Sequence, residues 1–515
     1  MTAMPRALRH SLLLTASILV LAACSVRPEP LETLEIAKSA AADQSLIATS
    51  EEELTEPLDL SGAVARALKY NLAHRVQIME AALANKSFEL AKMDMLPILA
   101  ANGSVSARNN DNASSSESVL TRRQSLEPST SEDRERATAS ARFSWNILDF
   151  GISYLQAKQE ADRYLVAELT RQKAMMQLVQ QVRTAYWRAA AMQMVSDRVD
   201  KLLAETTKSR QDLDRVFEQR LRPPLQVLEE MRSLSEVIQQ LETMKQSISA
   251  AKVDLAALIN VPPGKNIPLA TPANLPAMPA PPMDLDRMEQ MALINSGDYA
   301  AQLYNIRIEH IETRKALLRL LPGVELFSSA NWDTNSFLYN NAWADVGARV
   351  NWNIMRLLAS DEIADLNEGR KQLAMARRLA TNMAVITRLR LSHETYVNAL
   401  ERLKRASDID RIDGEIRRLT AQSEASSATA AIARVQSEVR ALRSTVAGLL
   451  AYADAQTAYG QHLVSMGLSV VPDDYQSKSV QELAGLIDQS FKRWDAGDYG
   501  ELPVIEAVAP LAQVN

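Results

Sequence analysis

Apolar residues recur along this chain with two periods, and the switch between them happens twice. Ala139, Ala141, Phe143, Trp145 and Ile147 alternate with Thr138, Ser140, Arg142, Ser144 and Asn146. Val346, Ala348, Val350, Trp352 and Ile354 alternate with Asp345, Gly347, Arg349, Asn351 and Asn353. A period of two with one apolar and one wet face predicts half-buried strands. Each of these is preceded by a second, less regular alternation. Leu99, Ala101, Val105 and Ala107 oppose Asn102, Ser104, Ser106 and Arg108, and Val324, Leu326, Ala330 and Trp332 share a face. The strands are expected at about 98–108, 137–147, 323–333 and 344–354.

After each strand pair the period lengthens. From Gly151 to about Gln219 there is no proline and no internal glycine. A helix of that length is roughly 100 Å long. Met175, Val179, Val182, Tyr186 and Ala189, continued by Val195, Val199 and Leu202, form a narrow seam of coiled-coil type. The second such stretch runs from Leu357 to about Gln422, then from about Ala425 to Met466, and Gly369 and Gly414 weaken it slightly. The turns between long helices fall at Arg220-Leu221-Arg222-Pro223-Pro224 and near Ser423 to Ser427.

The pattern is a duplication. DLSGAVARALKYN from Asp59 matches DLDRMEQMALINS from Asp284 at an offset of 225, and Leu96-Pro97 matches Leu321-Pro322 at the same offset. ARFSWNI from Ala141 matches ARVNWNI from Ala348 at an offset of 207. The difference places 18 extra residues between Pro97 and Ala141, where the chain has a polar, Ser-rich loop. Each copy is expected to hold a helix of roughly 35 residues ending at Leu-Pro, two strands, and two long helices joined by a tight turn. Residues 262–283 are proline-rich and predict an extended linker.

The N-terminus changes the picture. Arg6, Arg9 and His10 precede SLLLTASILVLAA, an uncharged apolar run of 13 residues. That is a secretory signal peptide, well short of the roughly 20 residues a spanning helix needs. Leu21-Ala22-Ala23-Cys24 resembles the bacterial lipobox, which makes Cys24, the only cysteine of 515 residues, a lipidation site and the first residue of the mature chain. The non-acidic Ser25 implies sorting to the outer membrane. Net charge is −6, or −8 without residues 1–23 and their two arginines, which argues against nucleic acid as a partner. No apolar run of spanning length follows residue 24. If the chain crosses a membrane, strands do it. The four strands have the nine to eleven residues of transmembrane barrel strands. Phe143, Trp145, Val350 and Trp352 are then lipid-facing, with the tryptophans at an aromatic girdle, and Arg142 and Arg349 face the lumen and favour anions. A membrane sheet must close, and four strands cannot. Three protomers supply twelve.

These residues resemble the TolC-type outer-membrane efflux family over roughly 57–470: PLDLSGAVARALKYN, Leu96-Pro97, FSWNILDFG running into a helix, AALINVPPG, and the doubled order. The resemblance implies a mainly α fold with a small β part, internally duplicated. Long α-helical hairpins form a periplasmic tunnel, and four transmembrane strands per protomer build a trimeric twelve-stranded barrel. It divides the chain into a signal peptide (1–23), a lipidated extension (24–56), a first repeat (57–261), a linker (262–283), a second repeat (284–470) and a C-terminal extension (471–515), equatorial or disordered. It implies an outer-membrane exit duct of a tripartite efflux or type I secretion system. The implied partners are a homotrimer, outer-membrane lipid, a periplasmic membrane-fusion adaptor and an inner-membrane transporter of RND or ABC type. It places adaptor docking at the hairpin tips, Arg220, Leu221, Arg222, Pro223 and Pro224 in one copy and Ser423, Ser426 and Ser427 in the other. The chain departs from the family there, since neither tip carries the usual glycine. Thr429 to Gln436 also lacks the acids of the family's mouth, and Glu229 and Glu230, or Asp408, Asp410 and Asp413, are the acids available instead.

Nothing points to catalysis. His10, His74, His310, His393 and His462 are scattered outside any metal-ligand spacing, and there is no phosphate loop and no nucleophile elbow. No cofactor or metal is expected. The alternative is a lipid-anchored periplasmic coiled-coil scaffold without a pore, which has no use for four alternating strands.

Overall fold

The computed structural model describes residues 29–49, 56–262, 264–265, 267–272, 275–281, 284–422 and 428–499. The expected signal peptide with Cys24, and Ser423, Ser426 and Ser427 of the second tip, lie outside the described residues. The chain divides into two units, residues 1–53 and 54–515. The described part of the first is a single exposed helix, α1 (Thr33–Thr49), with Glu35 in its first turn.

The second unit opens with α2 (Leu60–Tyr70) and α3 (Leu72–Met93), where one long helix was expected. Asn71 makes the break. Its backbone is extended and its side chain accepts from His74 N at 2.9 Å, which starts a new helix. Ser296 does the same between α6 (Leu285–Asn295) and α7 (Gly297–Leu318), accepting from Tyr299 N at 3.1 Å.

Four antiparallel strands follow in the order β1 (Ile98–Ala107), β4 (Glu135–Asn146), β5 (Gly323–Asp333), β6 (Ala342–Asn351). The two-residue strands β2 (Ala113–Ser114) and β3 (Ser129–Thr130) form a small hairpin inside the long β1–β4 loop. The two offsets read from the sequence hold pair for pair. Ile98↔Ser144 and Asn102↔Ser140 of the first hairpin become Gly323↔Asn351 and Phe327↔Gly347 of the second. Ile147 and Ile354 do not continue the strands. Asn146 caps a helix instead, its Oδ1 accepting from Leu148 N at 3.0 Å and Asp149 N at 3.4 Å.

That helix, α4 (Ile147–Glu218), is 72 residues long and turns back into α5 (Pro224–Leu258). In the second copy a 3₁₀ turn (Ile354–Ala359) leads into α8 (Ser360–Gln422) and then α9 (Ala428–Ser465). α4 is the spine. It packs on α3 and α7 toward the sheet, and on α5 and α9 toward the turn. The expected seam residues, Met175 through Leu202, are buried along it, and the far half is closed by Leu234, Leu241 and Leu442. Both hairpins end alike. Asn260 and Gly467, 207 apart, have φ of 54° and 74°. The next residues close the same bond, Val261 N to Ala256 O at 2.9 Å and Leu468 N to Leu463 O at 3.2 Å.

Two segments wrap this frame. The proline-rich linker runs beside Leu58, with Leu58 N donating to Pro268 O and Ala270 N to Leu58 O, both at 2.8 Å. α10 (Val480–Asp495) begins with a Ser479/Glu482 capping box and lays Leu483, Ile487 and Phe491 on α2, against Val64 and Leu68. Each of those side chains contributes roughly 1.5–3 kcal/mol by burial.

Candidate functional site

The strand faces divide as the alternation predicts, in an unusual sense. The apolar side chains lie on the open face: Phe143, Trp145, Val350 and Trp352 are 45%, 38%, 65% and 50% exposed. The polar side chains of β4 and β5 are the half-buried ones. In water this arrangement is costly, because large apolar residues stay wet. It suits a sheet whose apolar face meets lipid. Trp145 packs edge-on to Phe150 at 5.7 Å, and Trp352 Nε1 donates to Leu320 O at 3.0 Å, so both indoles are fixed where strand passes to helix.

On the other face, Arg142 and Arg349 are brought together by Glu325. Arg142 Nη2 is 3.0 Å from one carboxylate oxygen and Arg349 Nη1 is 3.9 Å from the other. Both guanidinium groups lie over the Phe327 ring, at 4.6 and 5.6 Å. Phe327 fits because residue 347 is glycine; a Cβ there would come within 2.7 Å of the ring. The same face carries the Arg136–Asp333 pair and Asp345, which accepts from Ser329 and Asn331. Glu325, Asp333 and Asp345 therefore stand among Arg136, Arg142 and Arg349 on this face. Glu325 escaped sequence reading because only the β4–β5 and β5–β6 registers together bring it within reach of both.

The α4–α5 turn is the second candidate region. Arg220 has φ of 51°, and Leu221 N donates to Val216 O at 3.1 Å, so the chain reverses tightly without glycine. Pro224 opens α5, where its missing N–H costs nothing. Arg222 binds Glu230 through both oxygens, at 2.9 and 2.6 Å, and this carboxylate holds the guanidinium pKa above its usual value. Glu230 is thus tied within the tip, whereas Glu229 is exposed. Asp410 is likewise engaged, accepting from Thr445 Oγ1 at 2.7 Å. Phe217, Leu221, Leu225 and Leu228 leave an apolar surface around the turn. The sequence signal for it was an apolar residue at spacings of four, four and three from Phe217 to Leu228, through the turn.

Two buried histidines also come into contact with groups remote in sequence. His74 Nε2 and Arg171 Nη1 both meet the Tyr475 hydroxyl, at 2.8 and 3.0 Å, pinning the C-terminal segment to α3 and α4. Burial, with the Arg171 charge, lowers the His74 pKa. His462 lies 5.4 Å from His393, ring to ring, and bonds Ser392. Burial first, and the His393 charge second, lower its pKa to about 4. Among the described residues no group of three or more His, Cys, Asp or Glu is placed to hold a metal ion. Among them, too, no helix is long and apolar enough to cross a membrane.

No protein-family model matches the chain, and no curated protein matches it in sequence. Solved structures do match in fold. The Campylobacter jejuni CmeC outer membrane channel is 13% identical with a TM-score of 0.62, covering 84% of this chain and 90% of that one. The open state of the Neisseria gonorrhoeae MtrE outer membrane channel is 16% identical with a TM-score of 0.57, covering 79% and 88%. The Vibrio cholerae outer membrane protein VceC is 15% identical with a TM-score of 0.57, covering 79% and 96%. With its doubled strand hairpin, its paired long helical hairpins and these neighbours, the chain has the mainly helical fold of the TolC-type outer-membrane channels.

Proposed function

We propose that this chain is an outer-membrane export duct. Three copies close a twelve-stranded barrel, and their helices continue it as a tunnel into the periplasm. The duct is passive and serves a tripartite efflux or type I secretion system, docked through its tips to a membrane-fusion adaptor and, behind it, to an RND or ABC transporter. Cys24 carries lipid as a second hold on the outer membrane, and catalysis is no part of the role. The observation that carries this reading is the sheet: apolar side chains outward, polar ones inward, and, among the described residues, an unpaired edge at each end. Open edges and a wet apolar face have no place in a soluble scaffold, whereas both are satisfied by closure in lipid. Neighbours of the same fold that are outer-membrane channels support it. Purified full-length protein in planar bilayers is expected to give discrete conductance steps. Protein that inserts into the bilayer yet never conducts points to the pore-free scaffold.

A further inference from the structure

Arg183 of α4 is a buried cation with no carboxylate bound to it among the described residues. It is 5% exposed, and the rings of Tyr459 and Phe491 lie 5.4 and 4.8 Å from its guanidinium carbon. Its N–H groups meet no acceptor among the described residues, and its Nε is shut off from solvent as well. Asp495, at the exposed end of α10, acts on it through charge, but no ion pair joins the two. Burial pulls the guanidinium pKa below its usual value. An arginine nevertheless keeps its proton in a protein, and all five of its donors with it. A buried charge in that position is strongly unfavourable unless something compensates it. The two rings offset part of the cost.

In the second copy the same position has its partner. The offset of 207 carries Arg183 onto Arg390, which binds Glu289 of α6 through Nε and Nη2, both at 2.6 Å. The offset of 225 carries Glu289 back onto Val64 of α2. α2 packs on α4 as α6 packs on α8, so the two arginines stand in corresponding grooves. The first copy keeps the arginine but has, in place of the carboxylate, a fully buried valine that α10 covers.

A cavity of about 20 Å³ adjoins Arg183, walled by α4, α9, α10 and residues 468–470. Gly460 makes room for the arginine, since a Cβ there would come within 2.8 Å of Arg183 Cδ. One water-sized body needs roughly 10–15 Å³, so the space takes a single small particle and no phosphate or organic acid. Ser469 on its wall has a hydroxyl whose acceptor, Val471 O, is distant at 3.5 Å, which leaves the O–H able to turn toward a ligand. Met176, Gln180 and Val464 also line a neighbouring cleft of about 540 Å³. There Lys173 and Arg388 share the carboxylate of Asp298, and the surplus positive charge draws anions toward the entrance. We infer that the cavity beside Arg183 binds one monatomic anion of the chloride class, in the role that Glu289 plays for Arg390. A water in that place satisfies an N–H but leaves the charge, whereas a halide answers both. The bound anion ties α10 to the long hairpins of both copies.

The test uses the full-length protein in detergent, with chloride exchanged for gluconate at constant ionic strength. Gluconate is too large for the cavity. Once the site is filled, each tenfold rise in chloride should lift the unfolding temperature by about 1–2 °C, and bromide should act alike. An unfolding temperature that stays flat through the exchange overturns the site. Crystals soaked in bromide should show an anomalous peak beside Arg183. Peaks at the surface with none at Arg183 would mean adventitious ions only, and would refute it. Two substitutions separate this arginine from a general effect of salt. Arg390→Met removes an arginine that has its own carboxylate and should leave the halide response intact. Arg183→Met should abolish the response, and a variant that keeps it in full defeats the assignment. Should Arg183→Met fail to accumulate, the bromide map of the unaltered protein decides.

Discussion

The two copies of the repeat agree where they build wall and disagree where they do something else. Their strand hairpins share register at every pair, and their helical hairpins end on the same left-handed residue, Asn260 in one and Gly467 in the other. They part at three places. The first copy carries the long loop from Arg108 to Arg134 where the second has a short turn. The first begins its long helix at the Asn146 cap, while Asn353 makes no such bond and a 3₁₀ turn follows. Polar groups also occupy the second copy's core: His462 and Ser392 stand where the first has Leu255 and Ala185. Sameness marks positions set by closing a sheet and a helix layer. Difference marks positions one copy has adapted.

The largest effect is expected at the segment belonging to neither copy. Ile487→Ala removes a fully buried side chain between α10 and α2, at a cost of about 2–5 kcal/mol. Thermal unfolding should drop accordingly, and proteolysis should release the C-terminal segment. Retained protection would mean α10 is not held by this contact. Next is pH. An unfolded histidine titrates near 6.5, and the fold holds His462 at about 4. Between those values the unfolded chain takes up a proton that the fold refuses, so stability falls with pH by on the order of 3 kcal/mol. His74, lowered too, acts in the same direction. His462→Leu, which restores the residue of copy one, should flatten the loss between pH 7 and pH 4, and an unchanged acid profile would rule His462 out as its source. The smallest effect compares the caps directly. Asn146→Ala should cost about 1 kcal/mol in denaturant unfolding, and Asn353→Ala far less. Equal costs would show that the starts of α4 and α8 are energetically alike.

Much of this was legible in sequence because it rests on period. The four strands, both long helices and the two offsets follow from alternation, seam spacing and short identities such as ARFSWNI and ARVNWNI. What escaped rests on contact at a distance. Glu325 stands between Arg142 and Arg349 only through pairing across three strands. His393 and His462 sit on different helices and meet only when α8 and α9 pack. The helix breaks at Asn71 and Ser296 had a local signal, a capping residue, that apolar periodicity running through it obscured. At the first tip, Arg220 to Pro224 were placed correctly as the turn, but the apolar surface of Phe217, Leu225 and Leu228 depends on which helix face the core leaves uncovered.

One helix has a mechanical consequence. After Gly151, α4 has neither glycine nor proline across its remaining length, so it behaves as a lever with no joint. With an arm of roughly 100 Å, a tilt of about one degree at the strand end swings the turn by nearly 2 Å. α8 is articulated differently. Gly369 and Gly414 both have open space where a Cβ would stand, and a more tightly wound 3₁₀ turn leads into the helix. A displacement at the α4–α5 turn therefore reaches the sheet along a helix without a weak point, whereas α8 carries two glycines at which its helix is weakest.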